Sequence, residues 1–184
     1  MIFHEHRLAF VHIPKTGGCS ILRALGSHPQ GHFPVSSTKY DGVCHYTTAC
    51  FVRNPWDRTV SSFYYLLAGG SHEGDRRLQQ KHLRYATFRD NILHWRDLSL
   101  LEVNHFKPQL HWIDGGVDFI GRFDNLQEDF DVLCERCDIP KRRLPRLNTS
   151  QHPPYVDCYD DETKAVVCAI YQSEIEMFDF VFEQ

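Results

Sequence analysis

Short apolar runs alternate with amphipathic segments along the first part of the chain. Residues 8–13 form an apolar run that stops at Pro14, and residues 20–25 have helical character. The same order recurs further on, where apolar residues 48–52 precede a turn and Asp57 is placed to cap a helix. The pattern therefore predicts two successive units of strand, loop and helix.

The middle of the chain is expected to be mostly helical. We expect the helix that follows Asp57 to end near Gly69 and Gly70, because glycine is a poor helix former and a common helix terminator. The polar residues 71–77 are predicted to form a surface loop. A helix-rich segment should then continue to about His111, with a break at Pro108.

The last third adds a further strand and two more helices. Residues 117–121 indicate a third buried strand, from which Asn125 leads into a helix. A proline-rich, aperiodic stretch at 138–159 is predicted to be a long loop, and a final helix carries residues 166–175. Together these elements predict an α/β fold with a mainly parallel central sheet flanked by helices, whose ligand site lies at the carboxyl ends of the strands.

Length and composition limit the classes of protein to which the chain could belong. With 184 residues, 42% of them hydrophobic, we expect a single globular domain over residues 1–184. The sequence has neither an N-terminal signal pattern nor a membrane-length apolar stretch, which predicts a soluble cytoplasmic protein. A formal charge of -4 argues against general nucleic-acid binding. Seven cysteines without zinc-site spacing indicate reduced thiols and no metal site.

The loop after the first predicted strand has the parts of an anion site. Gly17 and Gly18 allow close approach of the backbone, Lys15 supplies a mobile positive charge, and Thr16 and Ser20 supply hydroxyl donors. Taken alone, a glycine turn with an exposed lysine is an equally good interpretation of this stretch.

The second predicted strand and helix carry further side chains that suit an anion. Arg53 leaves the strand, and Ser61 lies two helical turns further on, so that both side chains can converge on one phosphate. Arg58 lies between them, next to Asp57. We expect Arg58 to have a structural role, in which it pairs with a neighbouring carboxylate.

These two stretches, HIPKTGGCS and VRNPWDRTVSSFY, resemble the two cofactor motifs of sulfotransferases that use 3'-phosphoadenosine 5'-phosphosulfate (PAPS). Within that superfamily the chain is most similar to the carbohydrate sulfotransferase branch, which includes heparan sulfate 2-O-sulfotransferases and bacterial relatives. Residues 119–126, 147–150 and 175–180 also resemble that branch, so the likeness runs nearly end to end. It implies a P-loop-like sulfotransferase fold.

The resemblance also assigns roles to residues. It implies that Arg53 and Ser61 hold the 3'-phosphate of the nucleotide, and it makes Ser150 a weaker candidate for a cofactor contact. The loop that would hold the 5'-phosphosulfate comprises Pro14, Lys15, Thr16, Gly17, Gly18, Cys19 and Ser20. Cys19 departs from the branch, which usually has threonine at that position; the change removes a hydroxyl but keeps the backbone N–H.

Transfer to an acceptor hydroxyl also requires a base, for which histidine is the usual side chain near neutral pH. His32 is the first candidate, because Gly31-His32 lies between the two motifs and resembles the Gly-His element that carries the base in the 2-O-sulfotransferase branch. His45 is the reserve candidate. Lys15 would neutralise the bridging oxygen as the leaving group, 3'-phosphoadenosine 5'-phosphate (PAP), departs.

Two other interpretations stay open on the sequence. A P-loop nucleotide kinase or hydrolase also uses a strand, a glycine loop and a lysine, although there the lysine follows the second glycine, whereas Lys15 precedes Gly17. A catalytically inactive nucleotide-binding module is the other, and Cys19 is the feature that leaves it open. The acceptor is expected to be a carbohydrate or a small metabolite, with no nucleic acid or membrane partner; O- and N-sulfation are not distinguished.

Overall fold

The computed structural model describes residues 1–147 and 151–183. They fall into two compact units. The first unit comprises Met1–Arg53 and Gln109–Thr149, and the second comprises Asn54–Pro108 and Ser150–Gln184.

The first unit is built on a four-stranded sheet with the order β1-β2-β3-β4. Strands β2, β3 and β4 are mutually parallel, and β1 is antiparallel to β2. The strands are β1 (Ile2–Phe3), β2 (Leu8–Val11), β3 (Thr47–Val52) and β4 (Phe119–Arg122). The predicted α/β class with a mainly parallel sheet is therefore confirmed.

Two strand predictions need adjustment. The apolar run at 8–13 ends as a strand at Val11, because the chain turns into the loop before Pro14. The strand predicted at 117–121 begins instead at Phe119 and is one of the two edge strands, with Ile120 exposed. An edge strand pairs on one side only, which explains why β4 is not fully buried as the apolar pattern indicated.

Seven α-helices lie within the described part of the chain. They are α1 (Gly18–Ala24), α2 (Pro55–Leu67), α3 (Glu73–His82), α4 (Phe88–Leu93), α5 (Leu126–Arg136), α6 (Asp161–Ile170) and α7 (Gln172–Phe178). Helices α1 and α5 belong to the first unit, and the other five belong to the second. None of the helices in the described residues has the length and apolar character needed to cross a membrane.

The core of the first unit joins one face of the sheet to α1 and α5. Phe10 and Phe51 point to that face and their rings lie 6.3 Å apart. Helix α1 contributes Ile21 and Leu22, and α5 contributes Phe130, Leu133 and Cys134. Burial of this apolar face anchors the strand ends and the loops that leave them.

The second unit begins with a capped helix. The side-chain oxygen of Asn54 accepts a hydrogen bond from the backbone N–H of Trp56 at 3.1 Å, so Asn54 is the cap of α2 and the prediction of Asp57 was wrong. Pro55 is tolerated in the first turn because its missing N–H needs no partner there. Helix α2 ends before Gly69, as predicted.

The surface loop predicted at 71–77 is also corrected, because α3 begins within it. The His72 side chain accepts from the backbone N–H of Asp75 and caps this helix. The Asp75 carboxylate is buried and accepts hydrogen bonds from the hydroxyl of Tyr65 at 2.6 Å and the backbone N–H of Ser71 at 2.9 Å. These polar contacts order a segment that has too few apolar residues for a helical pattern to be visible.

The rest of the second unit follows the sequence expectation in outline. The predicted helix-rich stretch consists here of α3, α4 and a 3₁₀ turn at Leu100–Glu102, and it reaches residue 111 through a second 3₁₀ turn, Gln109–Trp112, which belongs to the first unit. The single final helix is instead two helices, α6 and α7, separated at Tyr171. Asp160 begins α6 with a reciprocal capping box to Thr163.

Candidate functional site

The loop from β2 to α1 leaves the carboxyl end of its strand, where a ligand site is expected in a parallel sheet. Lys15 has a left-handed backbone (φ +68°), an uncommon conformation for a residue with a side chain. The Thr16 hydroxyl is buried and donates to the carbonyl of Ile13 at 3.0 Å, which closes the turn from inside. The loop is thus held in one conformation with the half-buried Lys15 at its bend.

The two glycines of the loop are required for different reasons. Gly17 has φ +82°, and a Cβ there would lie 2.8 Å from the Leu126 side chain. At Gly18 a Cβ would overlap the ring of His12. A larger residue at Gly18 would push the loop away from the His12 ring, whereas at Gly17 it is the left-handed backbone that favours glycine, because the Leu126 methyl groups lie at the end of a flexible side chain.

Arg53 follows the last residue of β3, and its side chain reaches the loop. The guanidinium donates a hydrogen bond to the Lys15 carbonyl at 3.1 Å and lies over the Phe123 ring at 4.0 Å from its centroid. Arg53 is 8% exposed. The two residues predicted from separate motifs are therefore in contact, side chain to main chain, and the flat face of the guanidinium is supported by an aromatic ring.

The main chain of Arg53 is held by a buried glutamine. The Arg53 N–H donates to Oε1 of Gln109 at 2.8 Å, and Nε2 of Gln109 donates to the Arg53 carbonyl at 2.9 Å. Gln109 is fully buried. Its primary amide pairs with both backbone groups of Arg53 in the way that a neighbouring strand would, at the point where β3 has ended.

His32 is oriented by a backbone carbonyl. Its Nδ1 lies 2.7 Å from the carbonyl oxygen of His12, which can only accept, so Nδ1 carries the proton of that hydrogen bond. In the neutral ring the lone pair is then on Nε2. The His32 ring also packs against His12, at 4.4 Å between centroids, and against Trp112, at 6.0 Å. This tautomer is the one that a general base acting through Nε2 needs.

The structure places the remaining predicted site residues as follows. Pro14, Cys19 and Ser20 belong to the loop and the start of α1 in the first unit. Ser61 lies buried in α2 of the second unit. Ser150 lies outside the described residues. The role that the resemblance gives to Ser61 stays a prediction, and so does that of Ser150.

The reserve base, His45, lies at the opposite end of the sheet. It comes two residues before β3 begins and stacks edge-on against Tyr46 at 4.7 Å. The parallel strands place Lys15 and Arg53 at their carboxyl ends. Only His32, of the two candidates, lies at the same end as these cations.

Three residues of this site have no role in the sequence prediction: Gln109, Trp112 and Phe123. Gln109 is 56 positions from Arg53, and a lone glutamine after a proline has no recognisable pattern. Phe123 stands in a stretch that supports the family resemblance, yet nothing in that stretch shows that its ring meets an arginine. The proline before Gln109 was the only local signal, because it marks a change of structure.

Arg58 has a buried structural environment in the second unit. It is 1% exposed, as is Glu174. Burial raises the pKa of Tyr171, the positive charge of Arg58 opposes that increase, and the negative charge of Glu174 adds to it. Both charges are therefore close to the same hydroxyl, which agrees with the predicted structural role of Arg58 beside a carboxylate.

Other chemistry is sparse over residues 1–147 and 151–183. No group of three or more histidine, cysteine, aspartate or glutamate side chains in those ranges could hold a metal ion. All seven cysteines are free thiols, and burial raises the pKa of Cys50 to about 12. The thiol of Cys50 is thus kept protonated and is not a nucleophile.

Comparison with known proteins gives one family. The profile of a family described as "Sulfotransferase family" matches residues 1–181. A protein of Archaeoglobus fulgidus, described only as uncharacterized, is 26% identical over 121 residues, which are 66% of this chain and 89% of the archaeal protein. No solved structure matches the chain significantly.

Proposed function

Because the chain belongs to the sulfotransferase family, we propose that it transfers a sulfuryl group from PAPS to the hydroxyl of a sugar or a small metabolite. One observation carries the proposal. The guanidinium of Arg53 donates to the Lys15 carbonyl at 3.1 Å, so the two residues that carry positive charge are neighbours at the carboxyl ends of β2 and β3. PAPS carries a 3'-phosphate and a 5'-phosphosulfate, two anions that need two such cationic partners.

The residues present fit this donor. The Arg53 guanidinium, with its face against Phe123, directs its N–H groups within one plane, which suits the oxygens of a phosphate. Lys15, as a mobile point charge on the glycine loop, suits the 5'-phosphosulfate. Arg53 would hold the 3'-phosphate, and the loop from Pro14 to Ser20 would hold the other end.

The reaction requires little covalent participation by the protein. A bond forms between the acceptor oxygen and sulfur while the bond between sulfur and the 5'-phosphate oxygen breaks, and PAP is the product that leaves. His32 takes the acceptor proton at Nε2, since its Nδ1 is held by the His12 carbonyl. Lys15 stabilises the negative charge that develops on the departing phosphate oxygen.

PAP should raise the melting temperature of the protein in the absence of magnesium. Binding to the native state alone stabilises it, by about 2.7 kcal/mol when the ligand concentration is a hundred times Kd. The measurement is a thermal melt with and without PAP, in buffer that contains EDTA. ATP with magnesium is the comparison ligand, and a shift with ATP but none with PAP would support the kinase alternative instead.

Arg53→Ala should weaken the binding of PAP by roughly tenfold or more, because a charge-assisted hydrogen bond contributes about 1.5 to 3 kcal/mol. Titration calorimetry with PAP and with adenosine 5'-phosphate, which lacks the 3'-phosphate, measures the effect. Most of the loss should be confined to PAP. Arg53→Lys keeps the charge without the planar fork and should give an intermediate Kd. Equal losses for both ligands would mean that Arg53 does not read the 3'-phosphate.

A further inference from the structure

One 3₁₀ turn, Gln109–Trp112, touches both halves of the proposed site. Its first residue, Gln109, bonds the main chain of Arg53, and its last, Trp112, packs against His32. Both Gln109 and Trp112 are buried, with 0% and 1% of their surface exposed. Neither residue presents a charge or a nucleophile, so their contribution to the site is through the groups that they contact.

Gln109 fixes the position of the Arg53 main chain. Because β3 ends at Val52, the N–H and carbonyl of Arg53 lie beyond the end of the strand, and the Gln109 amide bonds both of them, at 2.8 and 2.9 Å. Two hydrogen bonds to one residue restrain both of its backbone dihedral angles. The direction in which the Arg53 side chain leaves the backbone is therefore set by Gln109.

Trp112 restrains the segment that carries His32 through two contacts. Its ring lies 6.0 Å from the ring of His32, and its carbonyl accepts a hydrogen bond from the backbone N–H of Val35 at 2.9 Å. The segment from His32 to Val35 is thus held at the ring of its first residue and the backbone of its last. His32 has its other restraint in the His12 carbonyl.

We propose that Gln109 and Trp112 are positioning residues: the turn that carries them holds the arginine anchor for the donor's 3'-phosphate and the histidine base in one fixed relation. The inference rests on the proposed function. It predicts that loss of the Gln109 amide damages recognition of the 3'-phosphate, whereas loss of the Trp112 ring damages proton transfer. A residue with a merely structural role would change stability without this division of effects.

The test of the first half is the ratio of the Kd for adenosine 5'-phosphate to the Kd for PAP. Gln109→Met keeps the length of the side chain and removes both hydrogen bonds, and it should lower this ratio by about tenfold, the value of one charge-assisted hydrogen bond. Gln127→Met is the matched control, because the Gln127 amide also bonds the main chain on both sides, at Leu144 (2.8 Å) and Arg142 (3.2 Å). It should lower the melting temperature and leave the ratio within twofold of the parent.

A second variant keeps the test usable if Gln109→Met does not fold. Gln109→Glu retains an oxygen that accepts from the Arg53 N–H and loses the donor to the Arg53 carbonyl, so it should also lower the ratio. Trp112→Leu should reduce kcat about tenfold at saturating donor and change the pH at which turnover falls on the acidic side. It should leave the ratio of the two Kd values within twofold of the parent.

The outcomes separate this inference from the function on which it rests. If the parent protein does not prefer PAP over adenosine 5'-phosphate, the proposed function fails. If the parent shows that preference and the folded Gln109 variants retain it, or if Gln127→Met lowers it equally, the positioning role of Gln109 is refuted while the function stands. If Trp112→Leu retains the kcat and the pH profile of the parent, the positioning role of Trp112 is refuted in the same way.

Discussion

His32→Ala should lower turnover by roughly 10² to 10⁴-fold, the usual contribution of general-base catalysis, while the affinity for PAP stays nearly unchanged. The reason is that Nε2 of His32 acts only when the acceptor proton leaves, whereas Nδ1 is occupied by the His12 carbonyl at 2.7 Å. Lys15→Ala, in contrast, should impair both quantities, because the ammonium group contacts the donor before and during transfer. Turnover at saturating PAPS and titration with PAP measure the two effects.

The pH profile provides an independent check of the base. Turnover of the parent protein should fall on the acidic side as the histidine becomes protonated and can no longer accept a proton, and this limb should be absent from the residual activity of His32→Ala. His45→Ala is the matched control, because His45 lies at the amino end of β3. Near-normal turnover in His32→Ala together with an inactive His45→Ala would transfer the role of base to His45.

Arg58→Ala should reduce the free energy of unfolding by about 3 to 5 kcal/mol, the range for loss of one of two buried opposite charges that act on the same site. Arg58 and Glu174 are each 1% exposed, and both charges act on the buried hydroxyl of Tyr171. Without Arg58, the negative charge of Glu174 near the Tyr171 hydroxyl would lose the positive charge that opposes it there. Urea unfolding followed by fluorescence gives the free energy, with the slope checked for two-state behaviour.

Two further variants decide whether charge burial is the cause. Arg89→Ala removes an exposed arginine that bonds Asp160 at 2.7 Å and Glu162 at 2.6 Å, and it should leave the unfolding midpoint nearly unchanged, because solvent screens exposed pairs. Arg58→Met combined with Glu174→Leu removes both buried charges and should be more stable than Arg58→Ala. An Arg58→Ala variant as stable as Arg89→Ala would show that Arg58 compensates no buried charge.

The sequence alone determined the class of fold and the chemical character of the site. Apolar runs at 8–13 and 48–52 are long enough, and sufficiently free of charge, to form buried strands, and β2 and β3 are there. The loop between β2 and α1 was predictable because proline, glycine and lysine act locally, through backbone conformation and charge, whatever surrounds them. The family likewise follows from the sequence, since its profile matches residues 1–181.

In two of the places where the sequence prediction failed, the deciding interaction was polar. The segment at 71–77 has no apolar periodicity, and its helix depends on a histidine cap and on the buried Asp75 carboxylate, whose partner Tyr65 is ten residues away. Asp57 and Asn54 are both good capping residues, and only the hydrogen bond to Trp56 identifies Asn54.

The arrangement of the site was decided by tertiary structure alone. Arg53 meets Lys15 across 38 positions and Gln109 across 56, and the Nδ1 of His32 reaches a carbonyl 20 positions away. Hydrophobic periodicity records which face of an element is buried, and it carries no information about which distant donor and acceptor will pair. Those pairings form only when packing of the sheet and its helices brings the strand ends together. The sequence identified the arginine and the histidine as candidates, and this packing determines their positions.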